Sequence, residues 1–193
     1  ACISSSSEVP VIGYQDTNCT GYDTTLASIS STTNATIGNT SNYTKKVCGS
    51  VLPASISFSI STTTVYFGVV SSVMTRYASS TSSSGSNDEV EAHTIVVNTN
   101  ALNGYTVTAK GATLTSGTSS IAAIGAANTA PAIGTEQFGI RLTASGGVGT
   151  VSAPYLASGF AYAATATTSS TVASASTGDS ATTTFSVRYV ANI

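Results

Sequence analysis

The sequence predicts an all-β fold, and three observations of its 193 residues lead to that prediction. Short runs of β-branched and aromatic residues alternate apolar with polar positions, which is the period of a strand with one buried face. Segments rich in Gly, Ser and Asn separate these runs and are typical of turns. No segment combines a sustained 3.6-residue period with the capping residues that begin and end a helix.

The apolar pattern places most strands after about residue 51. Ile56, Phe58 and Ile60 alternate with serines and mark one face of the first of these strands. The remaining strand candidates are 65–70, 93–98, 105–109, 138–143, 159–164 and 182–193. The dipeptide Asn103-Gly104 predicts a hairpin that pairs 93–98 with 105–109. The Ala-rich segment 121–127 is a candidate for one short helix.

Two parts are expected from the change in composition near residue 50. Residues 1–50 form an N-terminal extension that holds every cysteine, and 51–193 form a β-domain. About seven to eight short strands with turn-rich connections favour an immunoglobulin-like β-sandwich for this domain, with a barrel as the alternative.

The composition narrows the classes of partner. Ser and Thr supply 66 of 193 residues, whereas charged residues make up 7% of the chain, against about 25% in an ordinary domain. The six basic residues are scattered, so they form no footprint for nucleic acid or for an anionic membrane surface. Gly, Ser, Thr and Pro interrupt every apolar run, and no membrane span is predicted.

The cysteines indicate an oxidising environment. Cys2, Cys19 and Cys48 lie in the first quarter of a Ser- and Thr-rich chain, which is typical of extracellular proteins. One disulfide is expected, and the pair Cys19–Cys48 is favoured. Cys2 is then unpaired or linked to another subunit. We expect the protein to be extracellular, at the cell surface.

Four N-x-[S/T] triplets crowd the same region and are candidate glycosylation sites. They begin at Asn18, Asn34, Asn39 and Asn42. Chance is the alternative explanation, because such triplets arise readily in a chain that is one-third Ser and Thr.

A short apolar strip near the start of the chain is a candidate donor strand. Its apolar residues are Val9, Val11, Ile12 and Tyr14, and Pro10 suits an edge strand rather than a central one. We hypothesise that residues 1–14 leave their own domain and complete the sheet of the next subunit. The alternative is an edge strand on the chain's own domain.

Motifs for catalysis, cofactors or metals are weak. His93 is the sole histidine and stands at the start of a predicted strand, without a second catalytic signal. The acidic group Asp88, Glu89 and Glu91 is interpreted as a solvated loop in preference to a calcium site. We therefore expect no enzyme activity, no cofactor and no metal.

Several motifs resemble those of secreted bacterial surface proteins. Val65-Tyr66-Phe67-Gly68, 94–100, 103–108 and 134–142 resemble the spore-coat-protein-U and chaperone–usher pilin-like group, and 99–108 is similar to poorly characterised exported surface proteins. The resemblance implies an immunoglobulin-like fold, export and assembly at the surface. Chains of the exported family continue beyond a segment like 189–193 with another strand, so we expect a trimmed end or a strand supplied by a neighbour.

The sequence therefore predicts a structural subunit of an extracellular, pilus-like filament, assembled by donor-strand exchange between copies of itself. Two alternatives are a monomeric surface adhesin or carbohydrate-binding module, which would contact host or cell-surface glycans, and a surface-layer or coat protein.

Overall fold

The computed structural model describes residues 8–33, 35–178 and 180–193, apart from the side chains of Glu8 and Val9. These residues form sixteen β-strands and no helix, which confirms the predicted all-β class. The chain divides into two compact units. The first contains the described residues up to Ser55 together with Asn100–Leu102, and the second contains Ile56–Thr99 and Asn103–Ile193.

The first unit is a four-stranded antiparallel sheet. Its strands are β1 (Glu8–Gln15), β2 (Thr24–Ile29), β3 (Ile37–Gly38) and β4 (Lys45–Pro53), in the order β1-β4-β2-β3. The disulfide Cys19–Cys48 joins β4 to the loop before β2, with a Cα–Cα distance of 5.5 Å. This is the pairing that the sequence analysis favoured. The disulfide stabilises a small sheet that has few buried apolar residues.

The second unit contains the remaining twelve strands of the described chain. They are β5 (Ile56–Ile60), β6 (Arg76–Tyr77), β7 (His93–Thr99), β8 (Tyr105–Ala109), β9 (Thr115–Ser116), β10 (Ser119–Ser120), β11 (Gly125–Thr129), β12 (Gln137–Ser145), β13 (Thr150–Val151), β14 (Phe160–Tyr162), β15 (Ser170–Ala175) and β16 (Thr182–Asn192). A seven-stranded sheet has the order β11-β14-β12-β16-β7-β5, with β6 also paired to β16. A three-stranded sheet has the order β13-β15-β8, and β9 pairs with β10.

The two larger sheets of this unit share one apolar core, so the unit is a β-sandwich. The large sheet contributes Phe138, Leu142 and Phe185, and the small sheet contributes Val107 and Val172. Each of these side chains is at most 9% exposed. Alternate residues of β12 and β16 point into this core, as the period of two predicts. The sheets are unequal in size, and this inequality creates the site described below.

The turn after β7 is not the hairpin that Asn103-Gly104 predicted. β7 lies in the large sheet and β8 in the small one, so the turn carries the chain between sheets. The Asn100 side chain accepts a hydrogen bond from the Ser55 amide at 2.7 Å and donates one to the Pro53 carbonyl at 3.2 Å. These bonds fix the start of the connection after β7 against residues 53–55. Position 104 still favours glycine, because its φ of 62° is one that other residues rarely adopt.

Two other local predictions were wrong. Segment 65–70 forms an isolated bridge between Tyr66 and Ser79 instead of a strand. Its apolar residues include Phe67, which packs against the core from an irregular segment. The predicted short helix at 121–127 is absent from the structure, and β11 begins at Gly125 with a φ of 114°. Backbone with that φ is not part of a right-handed helix. The high helix propensity of the neighbouring alanines was therefore not enough to form a helix here.

Candidate functional site

An open apolar groove lies between β5 and β8, the edge strands of the two sheets of the sandwich. Its volume is about 520 Å³. The large sheet extends past the small one at this point, since β8 has β15 as its neighbour on one side and no strand of the described chain on the other. The inner face of β5 therefore has no strand opposite it.

The floor of the groove is the core itself. Phe138, Leu142, Val172 and Val187 line it and are otherwise buried. On the β5 side, Phe58 is 55% exposed although it faces this apolar floor. Its strand neighbours Ile56 and Ile60, on the same face, are also exposed. A sandwich normally covers such a face with a strand of the opposite sheet.

A neutral polar pair lies at the base of the groove. The Nε2 atom of His93 is 2.7 Å from the hydroxyl of Tyr189, and the two rings are 5.6 Å apart. Burial lowers the pKa of His93, although a backbone hydrogen bond at Thr94 and the charge of Glu91 partly offset this effect. Burial raises the pKa of Tyr189 to about 12. Both groups are therefore uncharged at pH 7, which suits an apolar surface.

Sequence reasoning noticed His93 but not its partner. The Tyr189 ring also stacks on Phe138, with centroids 6.2 Å apart. His93 is thus a strand residue that lines the groove, and its hydrogen-bond partner is the phenol of Tyr189. A pairing across 96 residues of sequence has no local pattern that would reveal it.

Lys110 supplies the positive charge on the groove lining. It directly follows β8, and no salt bridge in the described part of the chain includes it. The rest of the lining is apolar, aromatic or hydroxylated. Such a surface suits an uncharged extended peptide with alternating apolar side chains.

The candidate donor strip lies in β1 and pairs with β4 of its own chain. The register runs from Glu8 opposite Pro53 to Gln15 opposite Lys46. Within this single chain the strip is therefore an edge strand of the first unit's sheet, and its donation to a neighbouring copy stays a prediction. Ile12 is 57% and Tyr14 65% exposed, whereas Val11 is half-buried. One face of the strip therefore remains open to solvent.

A cluster of opposite charges lies elsewhere on the second unit. The Glu89 carboxylate pairs with the Arg141 guanidinium and, at 3.3 Å, with Nε of Arg188. Ser186 donates a hydrogen bond to the Glu91 carboxylate. The acidic segment is thus attached to β12 and β16 instead of standing free in solvent as predicted. Its attachment uses residues that are about fifty or more positions away in sequence.

Three of the four glycosylation candidates, Asn18, Asn39 and Asn42, are exposed outside the strands of the first unit. Asn18 and Asn39 each accept hydrogen bonds from the backbone and hydroxyl of the residue two positions later, at 2.6–3.1 Å. Asn34 and Cys2 lie outside the described residues.

Two further features of the described residues concern membranes and metal ions. Within the described ranges, the chain forms no helix with the length and hydrophobicity of a membrane span. In the same ranges, His, Cys, Asp and Glu side chains nowhere gather in groups of three or more that could hold a metal ion.

Comparisons of the chain with models of protein families, with curated proteins and with solved structures found no match.

Proposed function

We propose that this protein is a structural subunit of an extracellular filament, and that copies join by adding a strand to the groove between β5 and β8. The observation that carries the proposal is the incomplete cover of the sandwich. The apolar face of β5, where Phe58 is 55% exposed, has no strand of the described chain opposite it and lies beside the unpaired edge of β8. Unpaired edges beside apolar surface are sites of strand addition.

The energies suit a cofactor-free assembly. Each apolar side chain that enters the groove contributes roughly 1.5–3 kcal/mol. Each added ladder hydrogen bond contributes roughly 0.5–1.5 kcal/mol. Three side chains and a few hydrogen bonds offset the entropy that association costs. The contact joins two different surfaces, so its repetition builds an open fibre where the rotation between copies does not close.

The low charge of the groove lining and the disulfide of the first unit support the same proposal. A groove lined by one lysine and otherwise by neutral residues gives little electrostatic attraction to charged partners. The resemblance to pilin-like surface proteins agrees with this function. In this proposal the partner is another copy of the chain, at the cell surface.

Electron microscopy and analytical ultracentrifugation of the purified full chain test the proposal. We expect filaments in the wild type and their loss in Phe58→Asp, which places a carboxylate on the groove wall. Phe58 is half-exposed, so its replacement should leave the fold intact by circular dichroism. Val69→Asp, at a site that is 83% exposed and away from the groove, is the matched control and should assemble normally. A wild-type chain that stays monomeric at high concentration would overturn the proposal.

A further inference from the structure

Among the terminal strands of the sheets, β1 and β8 are the two whose surroundings fit each other. β8 is the terminal strand of the small sheet of the sandwich, and β1 is the terminal strand of the first unit's sheet. In the described chain β1 pairs with β4 alone and β8 with β15 alone. A strand that paired with the open edge of β8 would therefore also cover the groove.

Pro10 indicates which backbone groups of β1 face outward. A proline has no N–H and is tolerated in a sheet where its nitrogen points to the unpaired edge. Because N–H and C=O groups of alternate residues of an antiparallel strand point to the same edge, Ile12 and Tyr14 share the orientation of Pro10. Their amides are thus directed away from β4, toward the side where a second ladder can form.

The side chains of the same residues form the exposed face of β1. Ile12 and Tyr14 are 57% and 65% exposed. The opposite face is occupied, since a Cβ atom added at Gly13 would overlap the Tyr22 side chain. The solvent-exposed face of β1 therefore carries the apolar side chains, Ile12 and Tyr14, that could cover Phe58 and Ile60 of a neighbouring copy.

We propose that β1 adds to β8 of the next copy through its free edge while it remains paired with its own β4, so that assembly proceeds by strand addition without strand exchange. This inference rests on the proposed filament function and revises its mechanism. Exchange would break the β1–β4 ladder of eight residue pairs before a new one forms. Addition keeps that ladder and joins the two sheets into one continuous intermolecular sheet, with Ile12 and Tyr14 over the groove.

A covalent staple separates addition from exchange. Val9 and Leu52 are opposed in the β1–β4 register, and opposed residues of antiparallel strands lie within disulfide range. Val9→Cys with Leu52→Cys, made in a Cys2→Ser background and checked by peptide mapping, prevents β1 from leaving β4. The same positions changed to serine provide the matched control. We expect the stapled protein and its control to form filaments at the same concentration.

Substitutions on the open face test the contact itself. Ile12→Asp or Tyr14→Asp should raise the protein concentration needed for assembly by roughly tenfold or more. Ile37→Asp, an exposed apolar site on the opposite edge strand of the same sheet, should leave it unchanged.

The outcomes distinguish the two levels of the proposal. Filaments in the serine control and none in the stapled protein would overturn addition and support exchange, with the filament function intact. Unchanged assembly of Ile12→Asp and Tyr14→Asp would overturn the assignment of β1 as donor. Absence of filaments in the wild type would overturn the proposed function and the inference together.

Discussion

The Nε2 atom of His93 lies 2.7 Å from the hydroxyl of Tyr189, at the base of a groove that opens into the core of the sandwich. Neither group is charged at neutral pH, because burial lowers the pKa of the histidine and raises that of the tyrosine. Protonation or deprotonation would place a charge against apolar side chains. The stability of the second unit should therefore depend on pH at both ends of the scale.

The acid side follows from His93. Its pKa is lowered in the folded state, so the unfolded chain binds a proton at higher pH than the folded chain does. The stability contributed by neutral His93 is complete above about pH 6.5 and is lost as the pH falls through the folded pKa. Urea unfolding between pH 7.5 and 5 should show this decline. We expect His93→Gln, which cannot titrate, to flatten the profile, and an unchanged profile would contradict the assignment.

The alkaline side follows from Tyr189. Its folded pKa of about 12 lies above the unfolded value of about 10, so its stabilising effect is complete below pH 10 and is lost toward pH 12. Ultraviolet titration of tyrosinate should show a component near pH 12. Tyr189→Phe should remove that component, whereas Tyr14→Phe, on the exposed face of β1, should leave it in place.

Loss of the disulfide should destabilise the first unit. Cys19 and Cys48 are 29 residues apart and close a loop around β2 and β3. Replacing both by serine is expected to lower the free energy of unfolding by about 2–4 kcal/mol. Native-state hydrogen exchange can report each unit separately. Protection should fall in β2 and β4 and remain in β12 and β16.

The acidic segment should depend on one carboxylate. Glu89→Gln leaves Arg141 and Arg188 without their shared partner, and these side chains are 19% and 22% exposed. We expect the free energy of unfolding to fall by about 1–3 kcal/mol, less than the loss for a fully buried ion pair. Asp88→Asn is the matched control, because Asp88 is exposed, and its effect should be within about 0.5 kcal/mol. Equal losses in the two variants would show that net charge, not the pairing, matters.

Two glycines separate backbone strain from steric overlap. Gly104 and Gly117 have similar positive φ values of 62° and 59°. A Cβ at Gly104 would overlap the Ala175 carbonyl, whereas nothing lies within 4 Å of one at Gly117. Gly117→Ala should cost about 1–2 kcal/mol from its φ alone. Gly104→Ala should lower the free energy of unfolding clearly more, as measured by thermal or chemical unfolding. Equal losses in the two variants would mean that the chain between the sheets shifts to accommodate the added methyl group.

The sequence predicted the strands that have one clean apolar face. β5, β8, β12 and β16 follow alternating residues, so their period of two was visible. β15 was missed because its Ser, Thr and Ala residues give little contrast between faces. The 65–70 segment was overpredicted because β-branched and aromatic residues also fill irregular segments that pack against a core.

The candidate site was only partly predictable. The apolar strip of β1 and the face of β5 are local patterns, and both were recognised as strands. The groove is a property of sheet pairing, since it exists because β8 lies in the smaller sheet. The Asn103-Gly104 turn predicted the opposite, a hairpin with β7, and a turn signal does not say which sheet the next strand joins. The pairs His93–Tyr189 and Glu89–Arg141 needed the same tertiary information.

Most basic side chains form bonds within the chain, and this affects resistance to proteases. Trypsin-like enzymes need an accessible Lys or Arg on an extended segment, and the chain has six such residues. Lys45 pairs with Asp16 at 2.6 Å, and Lys46 donates to two backbone carbonyls. Arg76, Arg141 and Arg188 bind partners within the second unit. Lys110 remains, exposed beside the groove. In the proposed filament, a strand that covers it would shield the most accessible cleavage point of the protein.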